Sequence, residues 1–216
     1  MILLSIDTSG PTGTVGLAHL LNNQLDVLAQ TALPGKTYSA QLVPTIVDLL
    51  AAHSSTIAGL AAIVVTSGPG SFTGIRIALS AAKGLAEPHG TPILAVSRLA
   101  VLAHKANTQG AALDASRHEF YLGDFSNPTP IESLLTSDSF LARATSLANN
   151  LAVCEASVHA IATAATRVEP PTAADALQFA LPRLRARDFN NAVTLDGNYL
   201  RRSDAEIFAK PQAPQP

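Results

Sequence analysis

The chain has 216 residues, of which 47% are hydrophobic and 14% are charged, and its formal net charge is −2 at pH 7. That length is enough for two small lobes of roughly 100 residues each, and the near-neutral charge excludes a protein that holds a polyanion by its overall field. A charged fraction well below the usual ~25% of soluble domains has two explanations, a surface covered by a partner or a general preference for alanine and leucine.

The first half predicts three short strands, followed by helices that alternate with strands. In chain order the predicted elements are strands 2–7, 14–20 and 25–33, a helix over 38–53, strand 61–66, a helix over 71–87 and strand 92–97. Ser71 is the expected cap of the second helix. An antiparallel meander followed by two parallel strands with crossover helices is typical of a ribonuclease-H-like lobe.

The second half begins in the same way as the first, because residues 111–114 form an apolar run that ends in Asp114, as the first strand ends in Asp7. The following elements are predicted as a helical link over 98–110, a strand over 119–125, a helix over 136–150, a strand within 151–158 and a helix over 172–187. We predict a first lobe over residues 1–100, a second lobe over 101–205 and a disordered Pro-rich tail over 206–216.

Cys154 is the single cysteine, so the sequence excludes an intrachain disulfide and a zinc site built on cysteines. No two of the six histidines are four residues apart, so no His-x-x-x-His metal pair exists, and no Gly-x-Ser-x-Gly elbow supports Ser-His-Asp chemistry. We therefore expect no metal site and no catalytic residue. The first apolar run has no basic leader, and no run reaches the ~18 apolar residues of a membrane span. We therefore expect a cytoplasmic protein without membrane contact.

The glycine-rich segment 67–76 follows a buried strand and opens a helix. Free N–H groups and the positive dipole end at such a position favour an anion, although no lysine stands where a P-loop requires one. The glycines could equally form a tight strand-to-helix turn. The candidate nucleotide- or anion-binding residues are Asp7, Thr8, Ser9, Gly68, Gly70, Ser71, Thr73 and Gly74.

Asp7 and Asp114 are expected to face each other across a cleft between the lobes. Two such carboxylates could bind a metal or act as acid and base. Alternatively, each aspartate caps the end of its own strand. The residues alone leave both interpretations open.

The helix over 71–87 is apolar on nearly all sides, so it must be buried on two sides. Together with the helix over 38–53 it forms either a surface for a second chain or a face buried within one chain. The candidate partner-interface residues are Tyr38, Leu42, Ile46, Leu49, Phe72, Ile75, Arg76, Leu79, Ala82 and Lys83.

Five segments occur in a fixed order: Ile6–Ser9, Tyr38–Pro44, Ser67–Arg76, Leu113–Ala115 and Gly197–Arg201. Together they resemble the bacterial TsaB (YeaZ) family of glycoprotease-like proteins, from residue 1 to about residue 202. Tyr38 departs from the pattern, since the family often has histidine there. The resemblance implies an actin-like (ASKHA) α/β fold of two ribonuclease-H-like lobes, the second one reduced.

The resemblance also implies a non-catalytic subunit that binds and activates TsaD through its first two helices. TsaD transfers a threonylcarbamoyl group to the adenosine beside the anticodon of tRNAs that read ANN codons. The other implied partners are TsaE, an ATPase, and tRNA, which binds through the complex, while the isolated subunit can pair with itself. No intrinsic cofactor is implied, and ATP or ADP is expected at the boundary with the partner subunit.

Two other functions remain open on the residues alone. An actin-like ATPase or small-molecule kinase would use Asp7 and the Gly68–Gly74 loop. A metallo-glycopeptidase would need a metal ligand set that the sequence does not supply.

Overall fold

The computed structural model describes residues 1–201, which form two five-stranded mixed sheets. The elements of the first lobe are β1 Ile2–Asp7, β2 Thr12–Leu21, β3 Gln24–Pro34, α1 Tyr38–Ala52, β4 Leu60–Thr66, α2 Phe72–Ala86 and β5 Ile93–Val96. Strands β1, β2 and β3 pair antiparallel, whereas β4 and β5 run parallel to β1 in the order β3-β2-β1-β4-β5. The predicted β-β-β-α-β-α-β lobe is confirmed.

The second lobe repeats this topology. Its elements are α3 Arg98–Ala106, β6 Gly110–Asp114, β7 Glu119–Asp124, β8 Ile131–Thr136, α4 Ser137–Leu147, β9 Leu151–Val153, α5 Ala156–His159 and β10 Thr166–Arg167. Read from β8, the strand order is β8-β7-β6-β9-β10, so β6 takes the place of β1. The predicted restart of the fold at the strand that ends in Asp114 is therefore confirmed, and this lobe is reduced, since β9 and β10 have only three and two residues.

Both faces of the first sheet are covered. Leu4 and Ile6 on β1 pack with α1 and α2, whereas Leu3 points to the other face. Because side chains alternate along a strand, a strand buried on both faces is a continuous apolar run, and this explains the sequence Ile-Leu-Leu that opens β1.

The helix α6, Ala173–Ala186, covers the face of the first sheet that Leu3 faces, although it lies in the range predicted for the second lobe. Leu177 and Leu184 on α6 are buried there with Val64 of β4. A capping box starts the helix, in which Thr172 and Asp175 each bond the other's backbone N–H. The lobe limits therefore need a correction, because the chain returns to the first lobe after β10.

The predicted tail, residues 206–216, lies outside the described residues. Within residues 1–201, every helix is too short or too polar to cross a bilayer.

Candidate functional site

A cleft of about 1020 Å³ lies between the two lobes. Ser9 and Ser71 line it from the first lobe, and Asp114 and Glu155 line it from the second. The segment that follows α6 contributes Tyr199. A cavity of this size at a lobe boundary is where a small ligand is expected to bind.

Asp7 and Asp114 end equivalent strands and form the same turn. The Asp7 Oδ1 accepts hydrogen bonds from the backbone N–H of Ser9 at 2.8 Å and from its hydroxyl at 2.6 Å. The Asp114 Oδ1 accepts from the backbone N–H of Ser116 at 2.6 Å, and its Oδ2 accepts from Ser157 at 2.8 Å. Both carboxylates therefore cap the ends of their strands, as the second interpretation of the sequence requires.

The structure brings the glycine-rich segment against the turn that follows Asp7. A Cβ at Gly74 would lie 1.9 Å from the carbonyl oxygen of Thr8, and one at Gly70 would lie 2.3 Å from that of Ser9. The Thr8 hydroxyl donates to the Gly74 carbonyl at 2.6 Å. These glycines thus allow two backbone segments to touch, which accounts for them without a ligand.

Some of the N–H groups at the start of α2 form hydrogen bonds within the chain. Ser71 caps the helix as predicted, because its hydroxyl accepts from the N–H of Gly74 at 3.2 Å. The N–H of Ser71 itself donates to the carbonyl of Ser9 at 2.8 Å. Gly68 has a φ of +107°, which glycine adopts more easily than any other residue. Thr73 is exposed on the first turn of α2. Nucleotide or anion binding by this segment stays a prediction.

The predicted partner interface needs a correction, because most of its residues face the interior of this chain. The buried members are Tyr38, Leu42, Ile46, Ile75, Leu79 and Ala82. Leu49, Phe72 and Lys83 are half-buried and Arg76 is exposed. The Lys83 ammonium donates to the carbonyl of Leu195 at 2.6 Å. The faces of α1 and α2 that carry the six buried residues pack on the sheet and on each other, so these six residues are unavailable to a partner.

Tyr38, which stands where the resembling family often has histidine, anchors the β1–β2 turn. Its hydroxyl donates to the carbonyl of Gly10 at 2.8 Å. Burial, with a smaller effect of Asp7, raises the pKa of Tyr38 above its usual value. Tyr38 remains a neutral donor at physiological pH, and its position is structural.

Residues 190–200 form a part of the site whose role the sequence did not indicate. The N–H of Asn198 donates to the carbonyl of Ser67 at 2.7 Å, and its side-chain amide donates to Glu132 of β8. The ring of Tyr199 lies 4.8 Å from that of Phe72, over which the Arg76 guanidinium stacks at 3.9 Å. This segment therefore contacts both of the lobes that flank the cleft.

Arg98 is a second site residue that sequence reasoning missed. It is the first residue of α3, is 6% exposed and lines the cleft. Its isolated position in the sequence gave no signal, because burial of an arginine depends on the surrounding fold. Among the described residues, no group of three or more His, Cys, Asp or Glu side chains is arranged to hold a metal ion.

Two ribonuclease-H-like lobes of the same strand order, facing each other across a cleft, define an actin-like α/β protein. Residues 27–147 match the model of the TsaD family, described as tRNA N6-adenosine threonylcarbamoyltransferase. Because that match covers more than half of the 216 residues, the chain belongs to the TsaD family.

Several relatives are named tRNA threonylcarbamoyladenosine biosynthesis protein TsaB. The chain is 36% identical to the Bacillus subtilis protein over 127 residues, which are 57% of this chain and 54% of that protein. It is 31% identical to the Haemophilus influenzae protein over 128 residues, 56% of this chain and 52% of that one. The chain thus spans about half the length of the curated relatives it matches.

The solved structures extend the likeness over nearly the whole chain. A Pseudomonas aeruginosa protein described as similar to the peptidase YEAZ superposes with a TM-score of 0.74 at 25% identity, over 93% of this chain and 99% of that one. YeaZ from the same organism superposes with a TM-score of 0.70 at 23% identity, over 92% and 99%. The resemblance to the TsaB (YeaZ) group and the actin-like fold are confirmed.

Proposed function

We propose that this chain is a non-catalytic subunit in the formation of threonylcarbamoyladenosine beside the anticodon of ANN-reading tRNAs. In this proposal it binds and activates a TsaD-like catalytic subunit in the cytoplasm, a TsaE-like ATPase joins the complex, and tRNA binds through it. ATP or ADP occupies the boundary with the partner subunit. The names of the curated relatives support the process, and the surface of α1 supports a partner.

The observation that carries the partner proposal is a pair of exposed valines on α1. Val43 is 44% exposed and Val47 is 46% exposed. They are four residues apart and therefore lie on the same face of the helix. The face is extended by exposed alanines one turn away in each direction, and we call it the α1 outer stripe: Ala40, Val43, Val47 and Ala51.

The α1 outer stripe flanks the buried side of the same helix, because Val43 and Val47 directly follow the buried Leu42 and Ile46. Leu42, Ile46 and Leu50 fill the core, so the apolar surface of α1 continues from the core onto the exposed side of the helix. An apolar helix surface that extends beyond the core favours a second packing partner. The neighbouring helix α2 adds the exposed Gly84, where an added Cβ would meet no heavy atom within 4 Å. A partner helix can approach closely there.

The test is co-expression of the chain with the TsaD-like protein of the same organism, followed by size-exclusion chromatography with light scattering. We expect the wild type to co-elute with its partner and Val47→Arg to elute alone, because a charge in an apolar interface is strongly unfavourable. Leu141→Arg is the matched control, since Leu141 is 50% exposed on α4 in the other lobe. Both variants should keep the wild-type unfolding midpoint.

Co-elution of Val47→Arg at the wild-type level would contradict the proposed interface. Transfer of the threonylcarbamoyl group, or ATP hydrolysis at a useful rate, by the isolated chain would contradict the non-catalytic role. If the isolated chain pairs with itself, Val47→Arg should be monomeric, because the same stripe would then serve both contacts.

A further inference from the structure

Arg98 is a buried cation on the wall of the interlobe cleft. Its backbone N–H donates to the carbonyl of Gly68 at 2.7 Å, which fixes the start of α3. The guanidinium Nε is sealed from solvent, and within residues 1–201 it has no hydrogen-bond acceptor. The ion pairs found in the same range all involve other residues. The guanidinium lies beside Gly10, where a Cβ would come within 2.9 Å of its Nη2.

A buried arginine without a counter-charge is strongly unfavourable. A lysine or histidine in that position could lose its proton, but a guanidinium stays charged at every pH a protein meets. Within residues 1–201 no carboxylate pairs with Arg98, so the position of Arg98 favours an anion bound in the cleft.

The carboxylates of the cleft do not meet this need. Asp114 is bonded to Ser116 and Ser157. Glu155 lies between β9 and α5 beside the Cys154 thiol, whose pKa is raised by burial and, to a smaller extent, by Glu155, and its Oε2 is buried with no hydrogen bond of normal geometry in the described part of the chain. Among the described residues, the cleft lining thus contains an unbonded guanidinium N–H, the Nε of Arg98 on α3, and an unbonded acceptor oxygen, the Oε2 of Glu155 on the second lobe. A ligand that satisfies both must accept from Arg98 and donate to Glu155.

We propose that this cleft binds hydrogen phosphate, with its oxygens against Arg98 and its remaining O–H donated to Glu155. A guanidinium matches the geometry of phosphate oxygens. Lys36 and Arg201 also line the cleft, and Arg201 is paired with Glu119, so the surroundings favour an anion over a neutral zwitterion. Sulfate lacks the O–H at neutral pH, and so does the dianion of a phosphomonoester, whose second pKa is about 6. Free phosphate is therefore the preferred form.

Calorimetric titration of the isolated full-length chain with sodium phosphate, sodium sulfate or AMP, at pH 7.5 and matched ionic strength, tests the site. We expect phosphate to bind at least about tenfold more tightly than sulfate or AMP, because a hydrogen bond to a charged group is lost with the latter two. Arg98→Met should weaken phosphate binding by about tenfold or more. Arg143→Met is the matched control, since Arg143 pairs with Asp124 at 2.8 Å outside the cleft lining.

Glu155→Gln provides an independent test, because the amide of glutamine can donate to an oxyanion that has no proton. This variant should bind sulfate and phosphate with affinities within about threefold of each other. Circular dichroism checks that each variant is folded, and if Arg98→Met is not, the selectivity of Glu155→Gln decides.

Equal affinity of the wild type for phosphate and sulfate, or full phosphate binding by folded Arg98→Met, would overturn the proposal. Because no partner protein enters these measurements, their outcome is independent of the proposed complex.

Discussion

Gly74 and Gly84 lie on the same helix, yet a methyl group added at each would meet opposite surroundings. At Gly74 the Cβ would lie 1.9 Å from the carbonyl oxygen of Thr8, which is backbone and cannot move without shifting the end of β1. At Gly84 no heavy atom lies within 4 Å. The same substitution, glycine to alanine, should therefore change the free energy of unfolding in opposite directions.

The magnitudes follow from the two environments. Alanine is favoured over glycine inside a helix by about 1 kcal/mol, so Gly84→Ala should stabilise the chain by about 0.5–1 kcal/mol. At Gly74 the same gain is offset by a weakened hydrogen bond from the Thr8 hydroxyl, about 1 kcal/mol. Overpacking then leaves a net destabilisation of about 1–3 kcal/mol for Gly74→Ala.

Urea denaturation of both variants and the wild type, followed by circular dichroism, measures these differences directly. Equal slopes with denaturant concentration would show that only stability has changed. If Gly74→Ala were as stable as Gly84→Ala, the glycine-mediated contact between α2 and the β1–β2 turn would be refuted, and the glycine-rich segment would need another explanation.

Three further substitutions or conditions test the packing. Leu79→Arg should lower the free energy of unfolding by at least about 3 kcal/mol and unfold the chain, because the Leu79 side chain is 5% exposed and faces the core. A folded monomer with the wild-type midpoint in thermal denaturation would contradict this. Glu132→Ala should lower the free energy of unfolding by about 2 kcal/mol, measured by urea denaturation, since the carboxylate accepts from Ser97 and Asn198 and both donors lose their partner. An unchanged midpoint would show that these contacts do not stabilise the fold. Burial raises the pKa of the Cys154 thiol to about 12, so a maleimide at pH 8 should label the native chain far more slowly than the urea-unfolded chain. The unfolded thiol ionises near pH 9.0, while the folded thiol keeps its proton. The stabilising contribution of Cys154 should therefore fall as the pH rises above 9.0, and this fall should be absent from Cys154→Ala.

The order of elements in the first lobe was predictable because each signal is local. Ser71 caps α2 through an atom three residues away, and the continuous apolar run of β4 shows burial on both faces by itself. The restart of the fold at Asp114 was visible for the same reason, since a strand that ends in aspartate repeats a local pattern.

The candidate site was only partly predictable. The sequence placed Asp7 and the glycine-rich segment together, but it could not decide whether Gly74 faces a ligand or the carbonyl of Thr8. It also included core residues such as Leu42 and Leu79 among the candidate interface residues, because periodicity indicates that a helix is apolar but not which apolar side meets the sheet. Arg98 was missed, since nothing in its neighbouring residues predicts burial.

The sequence by itself determined the elements of the first lobe, the cap at Ser71 and the restart of the fold at Asp114, since each depends on residues a few positions apart. It did not indicate β8, α5 or β10 of the second lobe. Only the tertiary structure decided that α6 returns to the first sheet, that Leu79 is buried while Val47 is exposed, and that Arg98 lines the cleft with its Nε unbonded within residues 1–201. These features depend on residues that are distant in the chain, and a single sequence contains no record of which of its parts come into contact.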